Sequence, residues 1–178
     1  DQLAWPEADL AAKQPGATIV WPFGACEQHG PQLPLATDAL FADRILNSVF
    51  EHLEAALPIW RLPVQSIGFS PEHQPFPGPL SLSAELMLQL VDQVGGQLAS
   101  MGVKRLVLFN AHGGQIGLLQ VAARQLRLRC PSMAVLPCFI WSGVDGLQSL
   151  LPPAELAHGL HAGQAETSLM LHLAPELV

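Results

Sequence analysis

The sequence is short of basic residues, and this shortage excludes one class of protein. It contains 8 Lys and Arg against 15 Asp and Glu, which gives a formal net charge of -7 at pH 7. The basic residues form no cluster along the chain. A nucleic-acid surface needs concentrated positive charge to neutralise phosphates. We therefore predict that the chain does not bind nucleic acid.

Long apolar runs and paired cysteines are also lacking. No uninterrupted apolar run approaches the roughly 20 residues that a bilayer-spanning helix needs. The opening segment, DQLAWPEADL, has neither the basic start nor the apolar stretch of a signal peptide. The odd number of cysteines, at Cys26, Cys130 and Cys138, favours reduced thiols over a disulfide framework. These features predict no membrane partner and a cytoplasmic location.

The apolar content and its spacing predict one α/β domain. Hydrophobic residues make up 49% of the 178 residues and charged residues 13%, as expected for a single compact domain over residues 1–178. Strands are predicted at 18–23, 59–64, 105–110 and 133–139, and helices at 38–57, 83–101, 117–129 and 165–173. The proline-rich segment 66–82 is predicted to be an ordered loop. Alternating strands and helices indicate a largely parallel sheet covered by helices.

Residues of the metal-ligating types follow the predicted strands. They are Glu27, His29 and Asp38 after the first strand, His112 after the strand at 105–110, and His161 and Glu166 before or within the last helix. Parallel sheets bind ligands outside the carboxyl ends of their strands, so these side chains are expected at one edge. Mixed carboxylate and imidazole ligands suit Zn, Mn or Fe. Two ions bridged by Asp38 could activate a water and polarise a carbonyl.

The motifs also resemble those of a known family. The sequence has EQHG followed by TD, then NAHGG, then HAG and ETS, with GFSPEHQPFPGPLSLS between them. This order resembles the creatininase (creatinine amidohydrolase) family, and the match covers most of the chain. The resemblance implies a three-layer α/β/α fold, a dinuclear metal site and a homo-oligomer, usually a hexamer. Family members include creatininase, formamidopyrimidine deformylases and a peptidase that trims a redox-cofactor precursor.

The resemblance also implies roles for individual residues. One ion would be held by Glu27, Asp38 and His112, and the second by His29, Asp38 and Glu166, with Asp38 as the bridge. Zn is the first expectation for both ions, with Mn and Fe as alternatives. His161 matches the histidine that moves a proton beside the bridging water. Trp141 and His73 are the candidate substrate contacts.

Three positions depart from the creatinine-cleaving enzymes. Those enzymes carry a glutamate where this chain has Gly114, an acidic residue where it has Leu160, and a tryptophan near Ala157. We expect Glu166 to supply the missing carboxylate. The chain is therefore closer to the deformylases and uncharacterised members than to creatininase proper. A small amide, a cyclic amide or a formamide is the expected substrate.

Other interpretations stay open at this stage. A peptidase-like member would act on a terminal residue of a peptide. A non-catalytic metal-binding or scaffold protein would keep the ligands without a substrate pocket. Cys26 could be a thiol nucleophile, although a packed small residue is favoured because buried free cysteines are common. The family usually continues beyond the ETS helix, whereas this chain stops at Val178.

Overall fold

A computed structural model describes residues 2–159 and 161–178 and contains one four-stranded sheet. The strands are β1 (Thr18–Phe23), β2 (Ile59–Arg61), β3 (Arg105–Asn110) and β4 (Ala134–Phe139). They lie in the order β2-β1-β3-β4, and every pairing is parallel. The register places Thr18 of β1 between Ile59 and Arg105, and Arg105 opposite Ala134.

Helices cover both faces of this sheet. They are α1 (Trp5–Ala12), α2 (Thr37–His52), α3 (Ala84–Met101), α4 (Ile116–Arg129), α5 (Leu147–Leu150), α6 (Pro153–His158) and α7 (Gln164–Leu173). The crossover from β1 through α2 runs to β2, whereas the one from β3 through α4 runs the opposite way to β4. Right-handed crossovers then place α2 and α4 on opposite faces. The predicted three-layer α/β/α fold is confirmed.

Two hydrophobic clusters hold the layers together. The larger lies between the sheet and α3 and α4, where Leu106 and Leu108 of β3 meet Met87 and Leu126. Leu106 and Leu108 share a face because side chains alternate along a strand. The smaller cluster joins α2 and α7 through Phe41 and Met170. Across the described part of the chain, none of the helices combines the length and apolar character that crossing a membrane requires.

The element boundaries differ from the predictions mainly around β2. The predicted helix over 38–57 ends at His52, and the predicted strand over 59–64 ends at Arg61. Pro63 has no N–H to donate, so the regular ladder stops, although Gln65 N still donates to Pro22 O at 2.9 Å. The short helices α5 and α6 were not predicted, because four to six residues carry little periodicity.

The topology opens a crevice at one place on the sheet. The connections leaving β1 and β3 run in opposite directions, although these two strands are neighbours. Ligands of open α/β sheets bind at such a switch point, outside the carboxyl ends of the strands. The segments that follow β1 and β3 are those that carry the EQHG and NAHGG motifs.

Candidate metal centre

The carboxyl ends of β1 and β3 bring the five predicted ligands into one buried cluster, here called the polar cluster. Its members are Glu27, His29, Asp38, His112 and Glu166, each at most 7% exposed. Asp38 lies in the first turn of α2 and Glu166 in the first turn of α7. A helix N-terminus favours a carboxylate there because its unpaired N–H groups carry partial positive charge.

Close backbone packing positions Asp38. A Cβ added at Gly24 would collide with the backbone of Ala39, so only glycine lets α2 begin against the end of β1. The turn after β3 is held by Asn110, which accepts a hydrogen bond from His112 N at 3.0 Å and donates to His112 O at 2.7 Å. These contacts set where Asp38 and His112 face one another.

Ligand-type atoms of the polar cluster lie close to one another. His112 Nδ1 lies 3.0 Å from Asp38 Oδ2 and 3.2 Å from Glu27 Oε1. His29 Nε2 lies 3.2 Å from Asp38 Oδ1, and one atom each of His29, Asp38 and Glu166 fall within 4.8 Å of one another. The two oxygens of Asp38 therefore face two different imidazoles, as a bridging carboxylate would.

Backbone carbonyls orient both imidazoles. His29 Nδ1 lies 3.3 Å from Glu27 O, and His112 Nε2 lies 3.0 Å from Phe69 O. A carbonyl can only accept, so these ring nitrogens carry the proton in the neutral rings. The other nitrogen of each ring then presents its lone pair to Asp38. A carbonyl behind a histidine in this way is the usual arrangement behind a metal-ligating imidazole.

With both imidazoles neutral, as a metal would require, several buried atoms of the polar cluster have no hydrogen-bond partner among the described residues. They include Glu27 Oε2, His29 Nε2 and Asp38 Oδ2. A buried polar atom left unpaired costs roughly 1–3 kcal/mol, more if it is charged, so native proteins rarely leave several together. Two divalent cations, one beside Glu27 and one beside His29 with Asp38 between them, would pair with these atoms, and mixed carboxylate and imidazole donors suit Zn, Mn or Fe. The residues present therefore fit a metal.

The same crowding shifts the proton affinities. Burial alone would lower the pKa of His112, but the Asp38 and Glu27 carboxylates outweigh it and raise that pKa to about 10. Burial opposes ionisation of Asp38, yet the His112 and His29 rings hold its pKa below the ordinary value. Burial raises the pKa of Glu166. Without a metal, protons take the place of cations in this cluster.

A cavity of about 660 Å³ opens over the polar cluster. One wall is polar and includes Glu27, Asp38 and His112. The apolar part of the lining, here called the apolar wall, comes mainly from β4 and the segment through α5 and α6, with Phe139, Trp141, Leu147, Leu151 and Leu156. The predicted substrate contact Trp141 thus lines the cavity.

His161 and His73 stand together at the cavity wall. Their rings stack with centroids 4.6 Å apart. His161 Nε2 lies 2.6 Å from Gln28 O and 3.2 Å from Gln28 Nε2. Because a carbonyl can only accept, the closer contact assigns the proton to Nε2 and leaves Nδ1 at 3.6 Å from Glu27 Oε1. His73 Nδ1 lies 3.1 Å from Gln28 Nε2, and its Nε2 lies 3.7 Å from Glu27 Oε2. Gln28 therefore orients both rings.

Sequence reasoning missed two residues of this site. Gln28 lies between two predicted ligands, and its spacing gave no sign that it would hold two histidines. Glu72 precedes His73 in the proline-rich loop and lines the same cavity. Leu160 lies outside the described residues. The described residues that line the cavity do not include Cys26, whose Sγ lies 4.0 Å from Gly78 O. Cys26 is therefore not positioned to act as a nucleophile in this cavity.

Comparisons with known proteins agree on one family. The creatininase family profile, described as creatinine amidohydrolase, matches residues 1–178. The mycofactocin precursor peptide peptidase of Mycobacterium tuberculosis is 37% identical over 164 residues, covering 89% of this chain. The creatinine amidohydrolase of Pseudomonas putida is 29% identical over 191 residues, covering 99% of this chain and 72% of its own length.

Solved structures agree as well. A structure titled "Creatininase Mn" superposes with a TM-score of 0.82 at 26% identity, covering 99% of this chain and 73% of that one. The chain spans 59% of the length of the mycobacterial peptidase. On the match to the family profile and the shared α/β/α fold, this chain belongs to the creatininase family.

Proposed function

We propose that this chain carries the metal centre of a hydrolase that cleaves an amide C–N bond. Glu27, Asp38 and His112 hold one divalent ion in this proposal, and His29, Asp38 and Glu166 hold the other. The observation that carries it is a set of buried atoms of Glu27, His29 and Asp38 that lack hydrogen-bond partners, next to a cavity of about 660 Å³. Zn is the first candidate metal, followed by Mn and Fe.

The chain's own residues account for proton transfer. Divalent ions held here would supply Lewis acidity toward a carbonyl and a water. His161 keeps its Nε2 proton on Gln28 O, so Nδ1 is the atom free to accept a proton. That atom lies 3.6 Å from Glu27 Oε1, and His161 lines the cavity. His161 is the proposed general acid/base, which takes a proton from the attacking water and passes it to the leaving nitrogen.

The first substrate candidates are a small amide, a cyclic amide or a formamide. A second candidate is a peptide, favoured by the 37% identity to a protein named a precursor peptide peptidase. The apolar wall around Trp141 could hold a side chain next to the cleaved bond. A non-catalytic metal-binding or scaffold protein would have no need for such a cavity, so the cavity counts against that reading.

Metal content is the direct test. We expect about two ions per wild-type chain by elemental analysis and close to none in Asp38→Ala, because Asp38 belongs to both ligand sets. The loaded wild type is then screened against formamides, cyclic amides and short peptides. Absence of metal after reconstitution with Zn, Mn and Fe would overturn the proposal. Full loading with no turnover of any amide would favour the non-catalytic protein.

Assembly and location are further parts of the proposal. A homo-oligomer, a hexamer by family resemblance, is supported by apolar side chains that lie exposed on this chain, such as Trp5 at 82% and Leu128 at 77%. Light scattering on the purified protein tests the assembly. The cytoplasm is the proposed compartment, supported by three cysteines that are all unpaired.

A further inference from the structure

Gly114 leaves a gap beside His112 that the carboxylate of Glu72 fills. A Cβ built on Gly114 would lie 2.5 Å from Glu72 Oε1 and 2.6 Å from His112 Nε2. Real Cβ atoms do not approach other atoms so closely, so a side chain at position 114 and Glu72 in its present place exclude each other. The absence of a side chain at Gly114 lets a carboxylate from a distant loop reach the cluster.

The loop that carries Glu72 is tied down on both sides. Phe69 N donates to Gln115 Oε1 at 3.1 Å, and Ser70 N donates to Ser81 Oγ at 2.9 Å. Glu72 itself lies in a 3-10 turn, Pro71–His73. The loop backbone therefore holds Glu72 over His112, although the Glu72 side chain is 47% exposed.

Hydrogen bonding does not explain the position of the Glu72 carboxylate. Its Oε1 lies 4.0 Å from His112 Nε2, too far for a hydrogen bond, and that nitrogen already donates to Phe69 O. Oxygen atoms of Glu72 and Glu27 and a nitrogen of His112 nevertheless fall within 4.8 Å of one another. Two carboxylates so close repel each other unless a cation or a shared proton lies between them. Glu27 Oε2 is buried and has no hydrogen-bond partner there.

We propose that Glu72 is an additional carboxylate ligand of the ion held by Glu27 and His112. This inference rests on the proposed metal centre. Glu166 groups with His29 and Asp38, the set expected for the second ion, whereas Glu72 groups with Glu27 and His112. The loop turn, and not α7, would complete the coordination of this ion.

The test measures the affinity of each ion. Zn²⁺ is titrated into metal-free wild type and Glu72→Gln in competition with a chromophoric chelator. Glutamine keeps the size of the side chain but removes its charge, and loss of even an outer-shell partner typically costs about tenfold to a hundredfold in metal affinity. We expect one of the two ions to bind at least about tenfold more weakly in Glu72→Gln, with the other unchanged.

A matched control removes an acid elsewhere. Glu51→Gln takes one negative charge from the exposed far end of α2, roughly 20 Å along the helix from Asp38 at 1.5 Å per residue. The Glu51→Gln variant should bind both ions with wild-type affinity. If Glu72→Gln binds both ions with wild-type affinity, Glu72 is not a ligand, and the proposed metal centre itself is unaffected. A wild type that binds no Zn²⁺ would overturn the metal centre and this inference with it.

Discussion

The larger hydrophobic cluster and the polar cluster are equally buried, but they differ in whether their atoms are satisfied. Under α3 and α4, Leu106, Leu108 and Leu126 are fully buried among apolar neighbours. At the carboxyl edge, Glu27 and Asp38 are each 1% exposed, and each keeps an oxygen without a hydrogen-bond partner. The first region is complete as a protein core, whereas the second leaves polar atoms that the proposed ions would pair.

The two regions contribute to the unfolding free energy with opposite signs when no metal is bound. Burial of apolar surface contributes roughly 25 cal/mol per Å² whatever the metal content. Buried charges must be paired or bind metal, since otherwise they oppose folding. We therefore expect the larger hydrophobic cluster to stabilise the fold with or without metal. The contribution of the polar cluster to the unfolding free energy should increase with the metal concentration.

Truncating the hydrophobic cluster should give the largest loss of stability. Leu126→Ala removes a fully buried side chain that packs against Gly95, and such changes cost about 2–5 kcal/mol of unfolding free energy. Leu128→Ala is the control, since Leu128 lies on the same helix at 77% exposure and should change stability by less than about 0.5 kcal/mol. Urea denaturation measures both. Similar losses in the two variants would contradict the assignment of this core.

Removing metal should give an intermediate effect. A ligand that binds only the folded chain adds about 2.7 kcal/mol at a hundred times its Kd, so chelating Zn²⁺ from the wild type should lower the unfolding free energy by about that much per ion. Leu126→Ala should lose the same increment, because distant sites add. If the wild-type unfolding curve is the same with Zn²⁺ and with chelator, the polar cluster does not depend on metal and the proposed difference between the two regions is wrong.

The last effect is a graded one, the pH dependence of metal affinity. The pKa of His112 is raised to about 10 in the metal-free chain, so a proton must leave this ring before a metal can bind it. Zn²⁺ affinity should rise by about tenfold per pH unit for that proton between pH 6.5 and 9. Calorimetry in buffers of different ionisation enthalpy would count the released protons. A pH-independent affinity would contradict the placement of His112 beside Asp38.

The metal-free chain should show the opposite trend in stability. The raised pKa of His112 contributes stability that is fully present below the ordinary value of 6.5 and is lost as pH rises toward about 10. Urea midpoints of the chelated wild type should therefore fall across this interval, while those of the Zn²⁺-loaded protein should not follow them.

The sequence by itself determined the α/β layering and the candidate ligands. Apolar runs such as Thr18–Phe23 and Arg105–Asn110 have the periodicity of buried strands, and they are strands of the sheet. The residues that follow them, Glu27 and His112, could be predicted to share an edge because parallel strands present their carboxyl ends together. Their role as ligands stays a prediction until metal is measured.

Only the tertiary structure decided how the rest of the site is assembled. Three features join segments that lie far apart in the chain. Glu72 approaches Gly114, Gln28 contacts both His73 and His161, and α5 and α6 supply the apolar wall. Local periodicity carries no information about such contacts. They depend on loop backbone fixed by hydrogen bonds such as Phe69 N to Gln115 Oε1, and on a glycine whose missing side chain leaves the required space.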